Sequence, residues 1–316
     1  MTVEFTPVWN EIIAWYLFLA GLGGGAYVSS FLLKRLCPGT GKLIAIGHAI
    51  APAVVAIGLV MLMIDAKGGL YHPVRFFMLL SNFESIMTWG VVFLSAFMVV
   101  ALATLVLDLV KKPVPSWIEL VGVALSLCVA LYTGALLGAC ASYPLWNTFI
   151  LPILFLCSAL SAGSAAVLAV GSALSAALYR AMDKLRHFHL IAVAGEVVAL
   201  ITLLVVVALG SDEGLQSVSR LLSGDYAIAF WVLLVAIGLV APTLVDAALA
   251  KRGHTSELAN PAKENAEKPA KEDRKALTEV RIAVVCANVG VLVGGYCLRY
   301  LVIMAALPAT IAFPWI

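Results

Sequence analysis

Eight long apolar segments constrain the fold of this chain more than any other feature of its sequence. Each reaches the roughly 20 residues that an α-helix needs to cross a hydrocarbon layer, and none alternates polar and apolar residues as barrel strands do. Hydrophobic residues make up 63% of the chain and charged residues only 12%, well outside the range of soluble domains. We therefore predict an all-α fold, a polytopic membrane bundle of eight transmembrane helices, near residues 10–33, 43–65, 85–108, 116–139, 148–177, 190–210, 227–250 and 280–305.

Positive charges are distributed unevenly between the two ends of these segments. The loops after the first, third, fifth and seventh segments hold fifteen lysines and arginines, whereas the loops after the second, fourth and sixth hold three. Positive residues accumulate in cytoplasmic loops, so the odd-numbered loops are predicted to be cytoplasmic and both termini extracytoplasmic. Because the excess charge lies on one membrane face, the expected surroundings are a lipid bilayer, and nucleic acid is not an expected partner.

One long polar stretch divides the chain. Residues 251–275 are rich in Lys, Glu, Ala and Pro and predict a cytoplasmic linker. It separates a seven-helix transmembrane region, 1–250, from the eighth helix and a short outer tail, 276–316. On the opposite face, the loop at 66–84 is apolar enough to include a short interfacial helix, and the loop at 211–226 carries four charged residues. We expect these two loops, together with the turn at 140–147, to be docking surfaces for a partner protein.

Ionisable side chains inside a bilayer are costly, so each one is a functional candidate. The predicted orientation sorts these candidates and two tyrosines into an outer group, Tyr16, Asp65, Tyr132 and Arg299, and an inner group, His48 and Glu196. Structural alternatives exist, since tyrosines populate membrane interfaces for ordinary reasons and Asp65 could pair with Lys67 or Arg75. His48 and Glu196 could simply hydrogen-bond between helices.

Six cysteines and five histidines limit the cofactors that this protein itself can hold. The cysteines form no CxxC pair and no ferredoxin-like run, so neither an iron–sulfur cluster nor a structural zinc site is expected. Only His48 is clearly intramembrane, whereas a haem held between membrane helices commonly has two axial histidines. We therefore predict no metal site, no haem and no electron carrier within this chain.

The stretch from Tyr132 to Gly163, YTGALLGACASYPLWNTFILPILFLCSALSAG, is the most distinctive in the sequence. Together with AWYLFLAGLGGGAY in the first segment, SIMTWG at 85–90 and GGYCLRYLVIMAA in the last, it resembles the NrfD/PsrC-type membrane subunits of polysulfide reductase and related anaerobic respiratory complexes. An Asp-to-Pro-x-Arg segment at Asp65, Pro73 and Arg75 supports the resemblance. The family's usual Asp-Leu-Gly-Arg-Pro pattern is replaced here by DAKGGLYHP.

The resemblance implies a haem-free subunit of a bacterial cytoplasmic (inner) membrane that binds a quinone, expected to be menaquinone, near the outer face. It also implies an extracytoplasmic iron–sulfur partner, linked in turn to a molybdopterin or multihaem catalytic subunit. The family's quinone-site positions correspond here to Tyr16, Asp65, Tyr132, Trp146, Asn147 and Arg299. Glu196 matches a polar family position in the sixth helix and, with His48, is a candidate for a proton route.

A quinol site needs hydrogen-bond partners for two oxygens, an apolar slot and an exit for protons. We predict that Tyr16 or Tyr132 hydrogen-bonds a quinone oxygen. Asp65 is then expected to accept or deliver the proton, and Arg299 to fix the Asp65 carboxylate. Two other functions stay open: a secondary transporter in which Asp65, Glu196 and Arg299 bind an ion or small anion, and a purely structural membrane anchor.

Overall fold

The computed structural model describes residues 9–37, 40–65, 83–174, 182–251 and 271–309, and within these ranges the chain is helical with short connections. Eight of the described helices are long and apolar enough to cross a membrane, which confirms the predicted all-α class and the predicted number of spans. The helices are α1 (Glu11–Leu36), α2 (Gly41–Asp65), α3 (Ile86–Leu109), α4 (Ser116–Gly138), α5 (Ile150–Leu174), α6 (Asp183–Gly210), the short α7 (Asp212–Leu222), α8 (π-helical over Ala229–Val240 and α-helical over Ala241–Lys251) and α9 (Lys271–Ala305).

Two helices begin earlier than their apolar segments do. Helix α6 begins at Asp183 rather than near residue 190, and α9 begins at Lys271 rather than near residue 280. The preceding residues are rich in Lys, Arg, Leu and Glu, which favour helix and continue it past the apolar region. Most of the predicted linker at 251–275 lies outside the described residues. The same holds for residues 66–82 of the predicted interfacial loop at 66–84. The loop at 211–226 contains α7.

Successive spans run in opposite directions, so the bundle has two faces. The N-terminal face carries Asn10, Asp65, the turn at 139–149 and α7. At this face the backbone amide of Ala309 donates to the carbonyl of Ser142 at 2.7 Å, which brings the described end of the chain beside the turn. The opposite face, called here the lysine-rich face, carries Lys34, Lys42, Lys111, Lys112 and Lys184. The positive-inside rule predicts that the N-terminal face is the outer one.

Helix α1 runs through the middle of the bundle, and 89% of the residues in its apolar window are buried. Its glycines permit backbone-to-backbone packing against α5. A Cβ atom on Gly25 would lie 1.9 Å from the carbonyl oxygen of Ala159, and one on Gly163 would lie 2.1 Å from the carbonyl carbon of Gly25. The small residues of α1 and α5 therefore serve close helix packing, as expected for membrane bundles.

The neighbours of α1 fall on two opposite sides. Gly23 faces Val55 of α2, whereas Gly21 faces Ala159 of α5 and Arg299 of α9. Residues two positions apart on a helix point in directions about 200° apart, which accounts for this division. Helix α1 thus lies between α2 on one side and α5 and α9 on the other, while α4 packs directly on α5.

Candidate functional site

A cavity of about 530 Å³ lies between α1, α2, α3 and α4, close to the N-terminal face. Most of its wall is apolar, formed by Trp9, Ile13, Leu59, Leu62, Met63, Met87, Val91, Leu94 and Leu136. Its polar lining comes from Tyr16, Asp65, Ser95 and Tyr132. An apolar space with a few convergent polar groups is the usual form of a small-molecule site.

The two cavity tyrosines come from different helices and lie close enough to interact electrostatically. Tyr16 and Tyr132 are both buried, and Gly90 of α3 makes room for the second ring. A Cβ atom on Gly90 would lie 1.8 Å from Cζ of Tyr132. Within the described part of the chain neither hydroxyl has a hydrogen-bond partner, so both are available to a ligand.

Asp65 is the last residue of α2 and lines the cavity at the N-terminal face. Its Oδ1 atom accepts a hydrogen bond from Nδ2 of Asn10 at 2.6 Å. Asn10 also caps α1, because its side-chain oxygen accepts from the backbone amide of Ile12 at 2.9 Å. Lys67 and Arg75, the alternative partners considered for Asp65, lie outside the described residues.

An aromatic stack joins the cavity wall to the turn at 139–149. The rings of Trp9 and Trp146 are stacked with centroids 5.5 Å apart, and Trp146 stacks on Tyr143 at 4.1 Å. Trp146 is buried, and its Nε1 donates to the carbonyl of Val302 at 2.7 Å. Trp146 therefore lies behind Trp9, whereas Asn147 is exposed in the turn and is not part of the cavity lining.

Arg299 lies apart from this cavity, so the structure does not bring it to Asp65 as the sequence-based mechanism required. The arginine is fully buried in α9. Its Nη1 atom donates to Oγ of Ser158 at 3.0 Å and to the carbonyl of Gly295 at 2.7 Å. The predicted outer group of four residues is thus a group of three, and Arg299 lies on the side of α1 that faces α5.

Helical geometry explains this separation. The guanidinium carbon of Arg299 lies 5.6 Å from the ring centroid of Phe18 and 5.1 Å from that of Phe155. Phe18 follows Tyr16 by two residues on α1, so the two side chains point in directions about 200° apart. A residue packed against Phe18 therefore cannot also reach the cavity that Tyr16 lines.

The electrostatic neighbour of Arg299 is Glu196 of α6. Glu196 is buried, and Oγ of Ser161 donates to its Oε2 at 2.6 Å. Because α6 begins at Asp183, Glu196 lies roughly three and a half turns into the helix, deeper than its sequence position relative to residue 190 indicated.

His48 occupies a different place. Its Nδ1 atom lies 2.6 Å from Oδ2 of Asp108, and its ring lies 5.2 Å from that of Tyr27, near the lysine-rich ends of α1, α2 and α3. The predicted inner group of His48 and Glu196 is therefore divided by α1. Close by, Lys34 forms an ion pair with the buried carboxylate of Glu119.

Sequence reasoning missed Asp108 and Glu119 as partners. Both occur within apolar segments, Asp108 at the end of the third and Glu119 in the first turn of the fourth, and that position is the signal that could have identified them. His189 was also missed, because it precedes residue 190, where the sixth apolar segment was predicted to begin. It is in fact buried inside α6, with Nδ1 3.0 Å from Oγ of Ser164.

Comparison with known proteins decides the family. The model of the family described as "Polysulphide reductase, NrfD" matches residues 2–258. The chain belongs to this NrfD family. It is 34% identical over 274 residues to the C subunit of polysulfide reductase from Wolinella succinogenes. The aligned region covers 77% of this chain and 84% of that protein. It is 30% identical over 271 residues to Protein NrfD of Escherichia coli, covering 75% and 84% respectively.

The NrfD match spans every residue that lines the cavity, from Trp9 to Leu136, and extends through Glu196. It ends before α9, so Arg299 lies beyond it. Together with eight apolar helices, membership of the NrfD family makes this chain a multi-pass integral membrane protein.

Proposed function

We propose that this chain is the quinone- or quinol-binding membrane subunit of a multi-subunit anaerobic respiratory oxidoreductase. The observation that carries the proposal is the cavity of about 530 Å³, whose mostly apolar wall includes two tyrosines, one aspartate and one serine. The similarity to the polysulfide reductase C subunit and to Protein NrfD supports the respiratory context.

The cavity residues fit a quinone, expected to be menaquinone. The ring and the start of an isoprenoid tail would pack against Leu59, Leu62 and Val91, and burial of apolar surface is worth about 25 cal/mol per Å². The hydroxyl of Tyr16 or Tyr132 would donate a hydrogen bond to a ring oxygen. A bound quinol supplies two electrons and two protons, and the side chains orient it and move the protons.

Asp65 is the residue proposed to take up or deliver protons. The hydrogen bond from Asn10 engages only one of its oxygens, Oδ1, and fixes the orientation of the carboxyl group. A carboxylate that is held in this way, half-buried between the cavity and the N-terminal face, is suited to general acid–base transfer. Arg299 has no part in this step, because it lies on the other side of α1.

The proposed redox partner is an extracytoplasmic iron–sulfur subunit, linked to a molybdopterin or multihaem catalytic subunit. We place the chain in a bacterial cytoplasmic membrane with the N-terminal face outside, so the turn at 139–149 and α7 are the described surfaces for docking. Burial raises the pKa of the Tyr143 hydroxyl and the pKa of the Cys140 thiol further above neutral pH, so both groups of the turn are uncharged at pH 7. The stack of Tyr143, Trp146 and Trp9 connects this turn to the cavity wall.

The test is quinol-dependent turnover of the assembled complex. Asp65→Asn and Tyr132→Phe remove one functional group each while keeping side-chain volume, and each should lower turnover by roughly 10²-fold. Glu11→Gln and Tyr300→Phe are matched controls, since neither residue lines the cavity or belongs to the proposed docking surfaces. Normal turnover in both cavity variants would exclude the assignment.

A secondary transporter is the second candidate, favoured by the buried pair of Glu196 and Arg299 in the middle of the bundle. Substrate or ion uptake by vesicles that contain the isolated chain would favour it. A purely structural anchor is separated from the oxidoreductase by quinone copurification, because an anchor would bind no quinone at the cavity.

A further inference from the structure

The contact between α5 and α6 holds a line of buried polar side chains that the quinone cavity does not use. We call it the polar seam, and its members are Arg186, His189 and Glu196 on α6 and Ser158, Ser161 and Ser164 on α5. The spacings of three and seven residues place each set on one side of its helix. Burying six polar side chains inside a membrane bundle is costly unless they are paired, so the seam is a functional candidate.

Hydrogen bonds connect the middle of the seam. Ser161 donates from Oγ to Oε2 of Glu196 at 2.6 Å. Nδ1 of His189 lies 3.0 Å from Oγ of Ser164 and 3.2 Å from the carbonyl oxygen of Ser161. Each separation is that of an ordinary hydrogen bond. Oγ of Ser164 donates to the carbonyl oxygens of Leu160 and Ser161. Ser161 thus lies between Glu196, which its hydroxyl contacts, and His189, which its carbonyl contacts.

At the lysine-rich face the seam reaches a cavity of about 430 Å³ between α6 and α8. Arg186 and Asp246 line it, and Nη2 of Arg186 donates to Oδ1 of Asp246 at 3.0 Å. Asp183 and His187, which also line it, are well exposed, so the cavity is open to water. The charges of Asp246 and Arg186 both act on His189. His189 therefore lies between an aqueous cavity and the serines.

At its inner end the seam stops at Arg299. Oγ of Ser158 accepts a hydrogen bond from Nη1 of Arg299, and the charges of Arg299 and Glu196 interact. Two other guanidinium nitrogens, Nε and Nη2, have no hydrogen-bond partner within the described residues. The thiol of Cys157 on α5 is a further titratable neighbour of Glu196. A buried guanidinium needs a compensating charge, so gain or loss of a proton at Glu196 changes its environment strongly.

We propose that Glu196 exchanges protons with the lysine-rich face by way of His189, which Ser164 positions, and the Ser161 hydroxyl, with a water molecule carrying the proton between them and the Arg186–Asp246 pair at the mouth of the route. His48 takes no part, because it lies beyond α1 and is paired with Asp108. If the lysine-rich face is cytoplasmic, the protons come from the cytoplasm. No bond other than O–H and N–H changes, and the proton taken from water is held on the Glu196 carboxyl group.

The experiment follows protonation of Glu196 by infrared spectroscopy after an acid jump. The full chain is reconstituted in lipid nanodiscs, and the carboxyl signal of Glu196 is identified as the one missing from Glu196→Gln. His189→Gln and Ser161→Ala should each slow this signal by roughly 10²-fold, since both remove a positioned proton-transfer group. Asp108→Asn is the matched control at the same face and should leave the rate unchanged.

Equal rates in all variants, slowing by Asp108→Asn alone, or no signal assignable to Glu196 would each overturn the proposal. Thermal unfolding of each variant identifies any that fails to fold. Because His189→Gln changes α6 and Ser161→Ala changes α5, either variant alone can test the route if the other does not fold. The measurement needs neither quinone nor a partner subunit. A negative result would therefore not count against the proposed quinone site. A negative result in the quinol-turnover test would likewise not count against the proton route.

Discussion

Asn10 donates a hydrogen bond of 2.6 Å to Asp65, and this contact joins the cap of α1 to the last residue of α2. The same asparagine accepts from the backbone amide of Ile12, so one side chain both caps the start of the first helix and orients the carboxyl group at the cavity. Stability and ligand binding should therefore respond together when Asn10 is removed.

Asn10→Ala should lower the free energy of unfolding by about 1 kcal/mol, the usual value of a lost N-cap, and should weaken quinol binding. Asn10→Asp retains a capping oxygen but places a second carboxylate beside Asp65, so it should weaken binding with little loss of stability. Ser211→Ala, which removes the cap of α7, is the control that should affect stability alone. Thermal unfolding and quinol titration measure the two effects. Normal quinol affinity in both Asn10 variants would contradict the proposed role of the contact.

Gly90→Ala should abolish quinol binding while the protein still folds. The added Cβ atom would meet Cζ of Tyr132 at 1.8 Å, so the Tyr132 ring, which lines the cavity, must shift. Gly41→Ala is the matched control, because nothing lies within 4 Å of a Cβ at that position. The measurement is quinol affinity of the purified protein beside its melting temperature. Unchanged affinity in Gly90→Ala would show that Tyr132 and the ligand do not share this space.

Much of the candidate site could be predicted from sequence, because the position of a residue within its apolar segment indicates how deep it lies in the membrane. Tyr16, Asp65 and Tyr132 are polar or ionisable residues near the same ends of their apolar segments, and the structure brings all three to one cavity. Depth does not reveal which side of a central helix a residue faces. Arg299 has a similar predicted depth to Tyr16 but packs against Phe18, on the opposite side of α1.

The remaining differences between the predicted and the observed site come from where the helices begin. Helix α6 continues past the apolar residues to Asp183, so Glu196 and His189 lie within the helix and are buried in the bundle. Asn10 lies one residue before α1, where no membrane pattern marks it, and only its type as a capping residue indicates a role.

Arg299→Gln should leave quinol affinity unchanged in any molecules that fold, because Arg299 does not line the cavity. It should destabilise the protein by about 3–5 kcal/mol, since it leaves the Glu196 carboxylate without its buried counter-charge. The double variant Arg299→Gln/Glu196→Gln should recover much of that stability, as expected for a coupled pair. Additive losses in the double variant would show that the two residues do not interact.

Gly163→Ala should prevent close packing of α1 on α5, because its Cβ atom would fall 2.1 Å from the Gly25 carbonyl carbon. Overpacking of this kind costs about 1–3 kcal/mol or more, and backbone atoms are less able to yield than the end of a side chain. Gly210→Ala, where a Cβ meets nothing within 4 Å, is the control. Melting temperatures in nanodiscs measure the effect, and equal values for the two variants would argue against the backbone contact.

Photochemical cross-linking of the protein with a photoreactive quinone tests the central claim most directly. Adducts mapped by mass spectrometry should fall on the segments of α2 and α3 that line the cavity, from Leu59 to Met63 and from Met87 to Ser95. They should be displaced by unlabelled quinol and diminished in Tyr132→Phe. Displaceable adducts confined to α5, α6 or α9, with none on α2 or α3, would contradict the account.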